Sequence, residues 1–143
     1  AVLLPLFRRV RMDAARQSVI LNSSERTGAY FLDLFFGEKQ EVLYEACLDA
    51  KGKLLACHRV AEGGADNLRV NMRKLVENAL RHNASNVILA HNHPSGVALA
   101  SPEDIAATAR AAEALQGIGI RLADHIIVAD EDFVSLHDSG YLP

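Results

Sequence analysis

His91 and His93 stand two residues apart at the end of an apolar run, Val87–Ala90, and Asp104 follows His93 by eleven residues. Side chains of a strand alternate with a period of two, so if that run is a strand both imidazoles point to the same side. The intervening loop is short enough for the first turn of a following helix to bring Asp104 back beside the strand end. Two neutral imidazoles and one carboxylate are the protein ligands of a catalytic zinc whose fourth position is open to water. Such a set leaves the ion positive, which draws the pKa of bound water far down, towards roughly 7. A structural zinc is more often closed by thiolates and imidazoles, and Cys47 and Cys57 lie far upstream. Ser101-Pro102-Glu103-Asp104 is equally a good helix start, with a serine cap, an early proline and acids in the first turn. Spacing alone leaves Asp104 open between cap, ligand and neither.

The patterning predicts the elements that must position these residues. Ser23 caps a helix over Thr27–Phe36, which Gly37 ends. Glu41–Asp49 and Leu54–Val60 read as strands joined by a turn at Ala50-Lys51-Gly52-Lys53. Leu68, Met72, Leu75, Val76, Ala79 and Leu80 form one apolar stripe of a helix over Leu68–His82. Val87–His91 is then a strand buried on both faces, Ser101 to about Leu115 a helix, and Ile120–Ala129 a strand interrupted by Asp124-His125. The succession predicts an α/β fold, a mixed β-sheet sandwiched by helices. Upstream, Leu3–Ser18 is basic and helical in character, which suggests a division into residues 1–18 and a domain over 19–143.

Composition narrows the function. In 143 residues, half of them hydrophobic and 23% charged, there is room for one domain with a real core, and disorder is excluded. No apolar run approaches the roughly 20 residues that span a bilayer, and no basic-first signal peptide is present, so the expectation is a soluble, cytoplasmic protein with no membrane association. A net charge of −3 argues against holding DNA mainly through its phosphates. Two cysteines are too few for a disulfide framework and are expected as buried, reduced thiols. The chain starts at Ala1 and so reads as a processed or cut-down piece of something longer.

His91-x-His93, seven residues, Ser101, two residues, Asp104 resembles the JAMM signature of the JAB/MPN metallopeptidases without a gap. The words Ile88-Leu89-Ala90-His91-Asn92-His93-Pro94-Ser95-Gly96 and Asp124-His125-Ile126-Ile127-Val128 resemble the bacterial RadC family, often labelled DNA repair proteins. Glu41-Val42-Leu43-Tyr44 through Leu48-Asp49 is similar to that family's first core strand. The resemblance implies a JAB/MPN (cytidine-deaminase-like) architecture with Zn2+ held by His91, His93 and Asp104. It further implies Ser101 as the donor that steadies an oxyanion and Glu41 as general base on the water. Glu38 and Glu45 are close by and Glu45 shares the parity of Glu41, so only the resemblance selects among them. The implied reaction is hydrolysis of a peptide or isopeptide bond in a peptide or protein substrate. Longer family members begin with a helix-hairpin-helix DNA-binding region, of which residues 1–18 would be at most the last helix.

The competing reading is an accessory module of DNA repair or recombination with a structural or vestigial metal site. An HNH nuclease, an iron oxygenase and a zinc deaminase are each disfavoured by the missing remainder of their patterns. His125, beside Asp124, is a candidate for supporting the metal site from behind or touching substrate, against a structural polar role. His58, His82 and His137 follow no pattern and are expected to be solvated.

Overall fold

A computed structural model describes residues 19–63 and 70–143. The basic segment 1–18 and Leu68 lie outside the described residues. Ser23 opens helix α1 (Ser24–Phe35), its hydroxyl accepting the Arg26 N–H at 3.2 Å. Strands β1 (Glu41–Leu48) and β2 (Leu54–Gly63) form the expected antiparallel hairpin. Asp49 holds its turn by accepting the N–H groups of Lys51 and Lys53, each at 2.9 Å. Helix α2 (Met72–Arg81) is capped by Asn71, which accepts the Lys74 N–H at 3.1 Å. Leu75 and Ala79 face the core as predicted, but Leu80 is 58% exposed. One residue is 100° of helix, so Leu80 turns away from the face that Ala79 buries, and Asn78 occupies that face instead.

Strand β3 (Asn86–Asn92), helix α3 (Pro102–Gln116), strand β4 (Arg121–Ala129) and strand β5 (Asp132–Ser135) complete the described chain. The sheet order is β2-β1-β3-β4-β5, parallel only between β3 and β4, where α3 makes the crossover. The fold is therefore α/β: a mixed five-stranded sheet between α1 on one face and α2 with α3 on the other. Alternation divides the core accordingly. Leu43, Cys47, Val87 and Leu89 pack towards α2 and α3, while Val42, Ala46, Ile88 and Ala90 pack towards Phe31 and Phe35 of α1.

Two expectations are corrected, and one strand was not foreseen. β4 is not interrupted at Asp124-His125; the irregularity is a bulge at Ala123, since Val87 pairs with Leu122 and Ile88 with Asp124. β5 escaped the sequence reading because it is short and lies at an edge, entered through a turn in which Asp130 takes a φ of 54°. Its Phe133 ring closes on α1, where a Cβ on Gly28 would lie 2.2 Å from a ring carbon, an approach only glycine permits. His58 and His82 are not simply solvated: their rings stack with centroids 4.9 Å apart and Nε2 atoms 2.7 Å apart. His137 is largely open to solvent, as expected, and lies beside Asp138. Both cysteines are free, Cys47 buried and Cys57 partly so, and burial pushes their thiols up to about 12 and about 11. Among the described residues no helix is long and apolar enough to cross a membrane.

Candidate metal centre

Strand alternation delivers the two histidines. His91 continues the row Val87, Leu89 that faces α2 and α3, and Leu43 of β1 stands opposite it. His93 still donates its N–H to Val128 O at 2.8 Å, so the register persists and both rings emerge on one face. Asn92 between them accepts the Val42 N–H and donates to Gln40 O, each at 2.8 Å, tying the end of β3 to the start of β1. Beyond the pair the chain reverses at Gly96, whose φ is 85° and whose N–H returns to His93 O at 3.1 Å.

Helix α3 then supplies the carboxylate. Ser101 Oγ accepts the Asp104 N–H at 3.0 Å and Asp104 Oδ2 accepts the Ser101 N–H at 2.9 Å, a reciprocal capping box. Capping does not compete with convergence on the histidines; it aims the carboxylate at them. His91 Nε2 lies 3.3 Å from Asp104 Oδ1, His93 Nε2 lies 3.1 Å from Asp104 Oδ2, and the two Nε2 atoms are 2.9 Å apart. Among the described residues this is the one group of three metal-ligand side chains that meets at a point.

Following the protons shows what this point requires. Thr108 donates its single hydroxyl proton to Asp104 O at 2.6 Å, so it can only accept from His125 Nδ1, also at 2.6 Å. His125 is fully enclosed, and burial, then the neighbouring His91, lower its pKa well below the ordinary histidine value, so it is neutral. With its proton on Nδ1, its bare Nε2 accepts from His91 Nδ1 at 2.7 Å. A neutral His91 then presents a lone pair at Nε2. His93 Nδ1 faces the accept-only carbonyl of Val97 at 3.0 Å, which leaves its Nε2 bare as well. Two lone pairs and a carboxylate thus face one another and call for a shared positive charge, a proton or a metal ion. Asp104 shows the same demand. Burial would raise its pKa, yet bonding to His91 and to the Ser101 N–H holds it well below the usual carboxylate range. Donors of this type and number fit zinc.

Of the residues singled out in the sequence, His91, His93, Asp104, Ser101 and His125 are brought together here. His125 stands behind His91. Glu41 lies outside the hydrogen-bonded cluster, partly buried at the start of β1. Because Leu43 pairs with His91, Glu41 falls on the same sheet face, at the end where His93 emerges. Its rivals are occupied: Glu38 holds Arg59 at 2.7 Å, and Glu45 is fully buried against Asn78 at 3.0 Å. Thr108 was missed, although a lone threonine one turn after Asp104 in an alanine-rich helix is a readable signal. Asp124 carried no role of its own in the sequence reading, beyond interrupting β4 and belonging to the word that resembles the family. It accepts the N–H groups of His125 and His137 at 2.7 and 3.0 Å and the Ser135 hydroxyl at 2.6 Å, pinning β5 to β4 behind His125.

With this geometry in view, residues 21–141 match the family model described as the RadC-like JAB domain. The chain belongs to that family. This RadC-like JAB domain is 40% identical over 143 residues to a UPF0758 protein of Bordetella bronchiseptica, covering 99% of the chain and 63% of the relative. UPF0758 proteins of Alcanivorax borkumensis and a Janthinobacterium strain are 37% and 35% identical, over 96% and 97% of the chain and 61% and 62% of the relatives. The chain thus spans about three-fifths of the length of the curated relatives it matches.

Proposed function

We propose that this RadC-like JAB domain is a zinc-dependent hydrolase of peptide or isopeptide bonds. The supporting observation is the meeting of two imidazole nitrogens and a capped carboxylate, His91, His93 and Asp104, at one point. Bound there, zinc would polarise a carbonyl and acidify water. The chain's own groups complete the chemistry. The Glu41 carboxylate takes a proton from the attacking water and returns it to the leaving amine. The Ser101 hydroxyl keeps its own proton while its oxygen caps α3, and donates that proton as a hydrogen bond to the developing oxyanion, a contact typically worth about 3 kcal/mol. Val97, Leu99 and Pro94 at the loop rim are exposed and offer apolar contact to an extended substrate.

The test combines metal analysis with turnover on a panel of peptides and isopeptide-linked conjugates. Near-stoichiometric zinc that disappears in Asp104→Ala, with turnover that Glu41→Gln abolishes while zinc is retained, is the expected result. Unchanged zinc in Asp104→Ala removes Asp104 as a ligand. Retained zinc with salt-sensitive DNA binding and no turnover on any conjugate would favour a DNA repair accessory module instead.

A further inference from the structure

Where edge strand β2 meets α2, away from the histidine–aspartate cluster, an open cleft of about 400 Å3 is lined by His58 and Arg59 of β2 and by Arg73, Lys74 and Arg81 of α2, with Glu77 its one carboxylate among the described residues. Four permanent cations therefore gather in one place on a chain whose net charge is −3. The helix repeat accounts for this: Arg73, Glu77 and Arg81 follow at four-residue intervals along one face. Glu77 is already engaged by Arg73 at 2.8 Å, and Glu38 by Arg59 at 2.7 Å. No carboxylate among the described residues pairs with Lys74 or Arg81. The surplus is felt inside the cleft, since Arg81 and Lys74 add to burial and to His82 in lowering the pKa of His58. Its floor is built rather than incidental. Asn78 is 5% exposed and fixed by its bond to Glu45, and His58 is backed by the ring of His82, stacked on it with Nε2 atoms 2.7 Å apart. Asn71, the cap of α2, also lines the cleft, so the positive end of that helix adds to the field.

We propose that this cleft binds a small ligand through two linked phosphate groups. Lys74 and Arg81 are seven residues apart, roughly 10 Å along the helix axis, a span that long side chains bridge around a diphosphate more readily than around a single phosphate. Arginine forks and a lysine point charge are the side chains that recognise phosphoryl oxygens. A volume near 400 Å3 suits a small molecule. The polar lining directs recognition to the phosphates rather than to an apolar body.

Inorganic pyrophosphate is the probe, titrated into the full chain with EDTA present so that no metal at the other site attracts it. The ring-proton resonances of His58 and His82 shift saturably. The Lys74→Gln/Arg81→Gln double variant weakens binding by about tenfold or more, whereas Lys51→Gln/Lys53→Gln on the distant hairpin does not. ADP binds at least as tightly as pyrophosphate. Far-UV circular dichroism confirms that the double variant is folded, and each single variant repeats the test if it is not. Unmoved histidine resonances, or equal affinity in parent and folded variants, would overturn the proposal. Tighter binding of a single-stranded oligonucleotide than of pyrophosphate would overturn the small-ligand assignment.

Discussion

Thr108 has the most to say at the scale of the single residue. It touches none of the converging atoms, yet its one proton fixes the direction of every hydrogen bond from Asp104 O back to His91. Thr108→Val keeps the shape and removes the acceptor for His125 Nδ1. His125 must then leave a buried N–H unpaired or move its proton to Nε2, against the proton on His91. Zinc affinity, measured by competition with a chromophoric chelator, should fall about 10- to 100-fold, the usual effect of losing support behind a metal ligand. Thr108→Ser, which retains the hydroxyl, should restore most of it. An affinity in Thr108→Val equal to the parent's would show that the relay does not set the state of His91. The like-facing pair His91 and His93 and the helix start that carries Asp104 were legible in the sequence, because a two-residue spacing on a strand and a cap motif are local signals. His125 and Thr108 depend on how a strand and a helix pack side by side, which spacing does not encode.

At the scale of elements, the close packing of α1 on β5 is decided by a missing side chain. Alanine ordinarily favours a helix over glycine by about 1 kcal/mol. At Gly28 the added methyl would lie 2.2 Å from the Phe133 ring, so Gly28→Ala should destabilise the domain by about 1–3 kcal/mol. Thermal denaturation would show the midpoint falling, and Phe133→Leu in the same chain should recover part of the loss. A stabilised Gly28→Ala would mean that the ring yields freely. The elements with strong periodicity or cap signals, α1, the β1–β2 hairpin, β3 and α3, were legible within a few residues. β5 was not, because four residues at an edge carry too little alternation, and the exposure of Leu80 was not, because Asn78 claimed the core position beside it.

Glu45 bears on the molecule as a whole. It is fully enclosed, one oxygen bonded to Asn78 and the other, Oε2, without a partner, and burial raises its pKa to about 7. The folded value exceeds the unfolded one, so folding favours the protonated acid. That contribution is complete below pH 4.5 and is lost as pH rises through about 7. Glu45→Gln should therefore be close to the parent in stability near pH 4 and more stable by about 3 kcal/mol at pH 8, with urea midpoints at the two pH values as the measurement. Equal midpoints at both would place a compensating charge beside Glu45. Zinc should act on the same equilibrium from the other side. The side chains proposed to hold it come from β3 and α3, and a metal at about a hundred times its Kd stabilises the folded state by about 2.7 kcal/mol. The thermal midpoint should rise with zinc in the parent and stay fixed in Asp104→Ala.

Alternation, helix repeat and capping chemistry are properties of neighbouring residues, so the sequence by itself determined the α/β class, the strand carrying His91 and His93, and the helix beginning at Ser101. The different surroundings of Glu38, Glu41 and Glu45, closure of the hydrogen-bond relay and the crowding of cations beside β2 rest on residues tens of positions apart. Only the tertiary structure decided these, because it alone buries Glu45 and occupies Glu38 while leaving Glu41 at the site's edge. Register between strands and packing between layers are set by the whole core at once, and no local window of sequence contains them.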